Sequence, residues 1–127
     1  MDTNEHESGL DDVVQRIIGA AYCVSNTLGC GFLERVYQRA LAFELTQQGL
    51  RARSQVAYAV FYRGVNVGDY TADLVVEDRV VVELKCVDSF VSEHIAQCIN
   101  YLRASKLKLA LLINFQKPKV EWKRIIL

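Results

Sequence analysis

Proline is almost missing from this chain of 127 residues, which has only Pro118. Low-complexity tracts, internal repeats and linkers are missing too, and 51% of the residues are hydrophobic. That composition excludes a disordered protein and fits a single globular domain with a real core. No apolar run approaches the ~18–20 residues needed to span a bilayer, so no membrane role is expected. The opening residues, MDTNEHESGLDD, carry neither the basic nor the apolar region of a secretion signal, which makes the cytoplasm the expected compartment. Histidine is scarce, with His6 and His94 alone, and none of Cys23, Cys30, Cys86 and Cys98 forms a C-x-x-C pair. A zinc site of ordinary ligand spacing is thereby excluded, and the cysteines are expected to be buried free thiols. Net charge is absent as well: 15 basic residues balance 15 acidic ones, which argues against a protein that coats DNA unspecifically. The charges are nevertheless segregated. Residues 1–12 hold five acids and no Lys or Arg, whereas residues 103–127 hold seven bases against Glu121 alone.

The periodicity changes along the chain. Residues 1–10 read as an acidic tail and 11–127 as one domain. From Asp11 to Leu28, apolar residues at Val13, Val14, Ile17, Ile18, Ala21 and Val24 have helical spacing, with Asp11 or Asp12 as N-cap. GCG at 29–31 breaks that helix, and FLERVYQRALAFELTQQG forms a second one ending at Gly49. SQVAYAVFYRG, VNVGDYTADLVVE and VVVELKC are three strands joined by short loops, hence an antiparallel meander. SEHIAQCINYLRAS is a third helix with Ser92 as N-cap, followed by the strands KLALLINF and VEWKRIIL. The economical architecture is one sheet with helices packed on it, an α/β (α+β) fold.

The strand RVVVELKC raises a chemical question, because Glu and Lys are rarely buried unless paired. Side chains alternate along a strand, so Glu83 and Lys85 share one face. One strand back, Asp73 is another charge in an apolar setting. A three-residue loop at Glu77, Asp78 and Arg79 pairs 76 with 80 and therefore 73 with 83, bringing all three charges to one level of one face. A two-residue loop sends Asp73 to the opposite face unless a bulge corrects the register. In the first register, Asp73 and Glu83 suit a divalent cation with water and phosphate as its other ligands. Lys85 is then placed to orient that water or to stabilise charge developing on phosphorus. The competing reading is a plain ion pair on a half-exposed strand, since an acid-x-Lys triplet arises about once by chance in a chain of this composition.

Other residues bear on the choice. Gln97 and Tyr101 stand four apart on one face of the third helix, where both can project over the same site. Glu34 and Tyr37 share a face of the second helix, although an acid in a first turn is expected from the helix dipole alone. His94, Arg103 and Lys106, with Lys108, are candidate phosphate contacts flanking the site. Trp122 is assigned to core or dimer packing rather than to stacking on a base.

GCGFLERVYQRAL resembles the signature of the bacterial GxxExxY family, with Gly31, Glu34 and Tyr37 as the motif residues. The resemblance continues through VGDYTADLVVE, VVVELKC, HIAQCINYL and LLINF, and so covers the chain from about residue 12 onward. The family is placed in the PD-(D/E)XK nuclease superfamily. That implies a restriction-endonuclease-like core of helix, three antiparallel strands, helix and strand, here with an extra N-terminal helix and a C-terminal strand. By position, Asp73, Glu83 and Glu34 match the metal-binding acids, Lys85 completes E-x-K, and Gln97 and Tyr101 resemble a Q-x-x-x-Y motif. Ala72 stands where the superfamily name has Pro, and Gln116 where a Gly is expected. The implied activity is Mg²⁺- or Mn²⁺-dependent hydrolysis of phosphodiester bonds, of DNA first, with a homodimer or other partner extending a small neutral surface. The alternative is a catalytically silent module of the same fold that binds nucleic acid or protein.

Overall fold

A computed structural model of the protein describes residues 3–127, with side chains described from Gly9 onward. The elements are α1 (Thr3–Leu28), α2 (Glu34–Gln47), β1 (Ala52–Tyr62), β2 (Val65–Val76), β3 (Val80–Lys85), α3 (Ser92–Ser105), β4 (Leu109–Asn114) and β5 (Glu121–Ile126). The strands form one sheet in chain order. β1, β2 and β3 make the expected antiparallel meander. β3 and β4 are parallel, which requires a crossover, and α3 is that crossover. β5 returns antiparallel to β4. This is the restriction-endonuclease-like order, with α1 and β5 as the additions.

The sheet separates two cores. On one face, α1 and α2 bring Val14, Ile17, Leu41 and Leu45 against Leu74, Val82, Leu84, Leu111 and Ile113. On the other, α3 sets Cys98, Tyr101 and Leu102 against Val81, Ala110 and Leu112. β4, LALLIN, is buried at all six positions because both of its faces are covered. Its sequence is accordingly a continuous apolar run and not an alternating one. Among the described residues, no helix is long and apolar enough to cross a membrane.

Four expectations change. α1 starts at Thr3, eight residues before Asp11. Acids are favoured in the first turns of a helix, so an acidic stretch fits a helix start as well as a tail, and the apolar period begins only where α1 reaches the sheet. Residues 1 and 2 and the side chains of 3–8, His6 among them, lie outside the described residues. Cys23 and Cys30 are exposed, Cys86 is half-buried, and only Cys98 is buried. Helical spacing turns Ala20, Ala21 and Val24 inward and leaves Cys23 outside, while Cys30 sits in the Gly29–Gly31 turn. Ser92 does not cap α3. Val91 is the N-cap residue, and its N–H donates to Nδ1 of His94 at 3.1 Å. Finally, Trp122 stands exposed on the edge strand β5, which overturns the core half of its expectation and leaves the dimer half standing.

Candidate active site

The site depends on a loop 15 Å or so down the strand in sequence terms, about four to five residues at ~3.3 Å each. Val76 pairs with Val80, Val75 with Val81 and Leu74 with Val82, so the β2–β3 loop is the three residues Glu77, Asp78 and Arg79. Glu77 and Asp78 both adopt left-handed backbone, at φ 55° and 54°, which is uncommon for residues with a Cβ. Their partners hold them there. The Glu77 N–H donates to the Arg51 carbonyl at 2.8 Å, and the Glu77 carboxylate accepts the Arg51 N–H at 2.7 Å. The Asp78 carboxylate bridges the guanidinium groups of Arg51 and Arg53. This loop sets the register that brings Asp73 level with Glu83.

At that level the regular ladder between β2 and β3 ends and the two acids take over. The Asp73 N–H donates to Oε1 of Glu83 at 3.1 Å, and the Leu84 N–H donates to Oδ2 of Asp73 at 2.8 Å. Each carboxyl thus accepts a backbone donor of the other strand. β1 is irregular opposite Asp73 as well. Gln55 has φ 53° and no pairing partner there, and its amide donates to Oε1 of Gln38 on α2. Both strands turn over at this point. Ala52, Leu74 and Val76 pack on the α1–α2 side, whereas Val56, Tyr58 and Ala72 pack on the α3 side. Positions two apart on a regular strand share a face, so the hairpin reverses its faces at Gln55 and Asp73.

Glu83 is 3% exposed, while Asp73 and Lys85 are half-buried. Burial pushes the Glu83 carboxyl up to about 8, with the Asp73 charge adding to the rise and Lys85 offsetting part of it. Repulsion by Asp73 therefore comes second to desolvation.

α3 closes the site. The Tyr101 hydroxyl donates to the Thr71 carbonyl at 2.9 Å, accepts from Nε2 of Gln97 at 3.2 Å and reaches the Glu83 carboxyl. Burial, and then the charges of Glu83 and Asp73, raise this phenol above its ordinary range. The structure thus gathers Asp73, Glu83, Lys85, Gln97 and Tyr101, as the sequence predicts. Cys98, between Gln97 and Tyr101, belongs to the same group, its thiol pushed up to about 12 by burial and by the Glu83 charge. In the sequence Cys98 reads only as core, although its place one turn from Tyr101 is a usable signal.

Glu34 is not gathered with the others. It is exposed at the first turn of α2, where its charge raises the Cys86 thiol beside Lys85 after burial does so. Among the described residues, no three His, Cys, Asp or Glu side chains stand close enough together to hold a metal. The rest of the motif is structural. Gly31 adopts φ 111°, a backbone that a side chain disfavours. Tyr37 is fully buried, stacked on Phe115 at 4.7 Å, and its hydroxyl donates to the Gly29 carbonyl while accepting the Phe32 N–H. Tyr37 therefore ties down the turn that carries Glu34.

The candidate phosphate contacts also separate. His94 uses Nδ1 to cap α3 and sets its ring edge against Phe90. Arg103 lies nine residues further along, about 14 Å at the helical rise, and Lys106 just beyond it.

A family model of the PD-(D/E)XK nuclease superfamily matches residues 11–125. The chain belongs to that superfamily. Among solved structures, the crystal structure of SSO0001 is similar with a TM-score of 0.57 and 18% identity, over 72% of this chain and 48% of that one. The chain thus spans about half the length of SSO0001. An alkaline exonuclease, LHK-Exo, from Laribacter hongkongensis is similar with a TM-score of 0.52 and 11% identity, over 90% of this chain and 80% of that one. At such identities the likeness is one of fold. No curated protein matches the chain.

Proposed function

We propose that the protein is a nuclease of the GxxExxY type that hydrolyses phosphodiester bonds of DNA in the cytoplasm, with Mg²⁺ or Mn²⁺ held by Asp73 and Glu83. The observation that supports this most is the acid pair, Glu83 buried and Asp73 half-buried, at the point where β2 and β3 part. A carboxyl held up to about 8 by burial beside a second acid is an environment that a cation relieves. Two carboxylates are the hard oxygen donors such ions take, and they leave positions for water and a phosphate. Nucleases of this superfamily generally use divalent metal ions. When bound, the ion supplies charge neutralisation at phosphorus and a more acidic water.

The chain's own residues do the rest. Lys85 presents an ammonium on the Glu83 face, fitted to orient the attacking water and to stabilise charge developing on the phosphate. Gln97 holds the Tyr101 hydroxyl, which pins α3 to the Thr71 carbonyl of β2 and fixes the Glu83 carboxyl. Glu34 assists from the rim, on the α2 side of the end of β3.

Calorimetric titration with Mn²⁺ into the millimolar range tests this, run on the wild type, Asp73→Asn and Glu83→Gln. Both variants keep an oxygen that accepts the backbone N–H while losing the charge. Degradation of linear and supercoiled DNA in Mg²⁺ or Mn²⁺ is followed in parallel. Saturable binding and DNA degradation by the wild type, both lost in the variants, support the reading. Equal weak binding by all three proteins, with no degradation, sinks it and leaves the silent binding module.

A further inference from the structure

Beyond the reversal at Gln55 and Asp73, β1 and β2 continue well past their pairing with β3. With the C-terminal half of α3 they enclose an open cleft of about 640 Å³. That volume lies within the range, on the order of 300–1,000 Å³, of small-molecule sites. Its walls combine rings and cations: Phe61 and Tyr70 from the hairpin, Asn100, Arg103 and Lys106 from α3. Phe61 is 65% and Tyr70 37% exposed, so both rings present area that nothing in the fold covers. The ion pairs among the described residues join Arg51, Arg53 and Arg124 to acids, and none involves Arg103 or Lys106.

The cleft adjoins the acid pair. Nδ2 of Asn100 donates to the Tyr70 hydroxyl at 3.3 Å, and the Tyr70 ring meets the Tyr101 ring at 5.3 Å and 61°. Tyr101 in turn reaches Glu83, so one aromatic ring separates cleft and site. Lys106 closes α3 with φ 67°, a left-handed position at which glycine is the favoured residue, and its N–H donates to the Leu102 carbonyl at 2.9 Å. That turn holds the lysine at the wall of the cleft.

We infer that this cleft seats an unpaired nucleotide of the strand being cleaved, its base against Tyr70 or Phe61 and its phosphate between Arg103 and Lys106. The inference rests on the nuclease reading and adds to it a substrate class, a single strand. Aromatic rings stack on any base whose face is free, whereas a base inside a duplex has both faces taken. Arg and Lys side chains hold phosphate oxygens without reading sequence. Asp69, the acid of the lining, repels a second phosphate on the hairpin side and can accept a base N–H.

Fluorescence anisotropy in EDTA, which prevents cleavage, tests the cleft with labelled dT12, U12 and a 12-base-pair duplex. At least one of the two single strands is expected to bind wild type tenfold or more tighter than the duplex does. Arg103→Ala and Lys106→Gly are each expected to weaken that binding about five- to tenfold. Glycine suits the left-handed backbone at 106, so Lys106→Gly should melt no lower than wild type and bind Mn²⁺ unchanged. Duplex preference, or single-strand binding unaltered in both variants, overturns the inference. If strand binding depends on Arg103 and Lys106 while Mn²⁺ does not bind, the cleft stands and the nuclease reading falls.

Discussion

Strand β3 has two surfaces of opposite character. Val80, Val82 and Leu84 meet the α1–α2 side in a core of hydrocarbon and one buried tyrosine. Val81, Glu83 and Lys85 meet the α3 side, where an acid pair, an ammonium, a thiol and a phenol crowd together. Apolar burial on the first surface is favourable by roughly 25 cal/mol per Å². On the second, a charge taken from water costs free energy unless something pairs with it. The two faces of one six-residue strand therefore differ in what they do for the fold, one holding it together and the other gathering charged groups at its expense.

That division can be broken from either side. The largest effect is expected from Lys85→Ala on the α3 side. DNA degradation should fall by about 10²–10³-fold, the scale of losing one stabilising group in a transition state. The melting temperature in EDTA should hardly move, and unchanged degradation rates would remove Lys85 from the chemistry. On the other side, Leu41→Ala opens a cavity in a fully buried position and should cost ~2–5 kcal/mol in urea denaturation. Mn²⁺ binding per folded molecule should be unaffected, and a lost metal site would show that the two faces are coupled.

A pH series sharpens the contrast. The Glu83 carboxyl titrates near its ordinary 4.5 in the unfolded chain and at about 8 in the fold. Below 4.5 both states hold the proton. Between the two values only the folded state holds it, so metal-free stability should fall as pH rises through this window and level off above 8. The drop should be on the order of 5 kcal/mol, and Glu83→Gln should flatten it. A wild-type profile as flat as the variant's would mean that Glu83 is already compensated. The smallest effect is expected for Tyr37→Phe. Removing the hydroxyl from between Gly29 and Phe32 should cost ~1–3 kcal/mol in the same denaturation assay. Degradation by the folded protein should drop only modestly, through a looser Glu34.

Much of this was legible in the sequence, because the dominant signals are local. Strands and helices announced themselves through periods of two and 3.6, and α3 spans the predicted Ser92–Ser105. Asp73, Glu83 and Lys85 stood out because they interrupt apolar runs. Their shared level followed from counting loop residues, and the observed loop is the three-residue one. What remained hidden depends on two segments at once. Gln55 looks like an ordinary strand residue, and its left-handed backbone exists only because β1 and β2 reverse together. Cys23 and Cys30 have apolar neighbours in sequence, but exposure is set by which way the helix and the glycine turn face. Glu34 carries a motif position, yet nothing in one dimension gives its distance from Asp73. Gln116, standing where a glycine was expected, is accommodated because the backbone there does not take the left-handed conformation that favours glycine.

The crossed hydrogen bonds of Asp73 and Glu83 bear on how such chains diverge. Because each carboxyl accepts a backbone N–H of the opposite strand, both acids remain useful to the sheet even in a descendant that no longer turns over substrate. Selection for folding alone would keep an acceptor oxygen at each position and not a charge, so Asn and Gln would serve the sheet as well. Lys85 serves the fold only through its charge, which offsets part of the rise at Glu83, and that use would end once Glu83 became an amide. The presence of all three charges in one chain is thus a trait that folding alone does not favour.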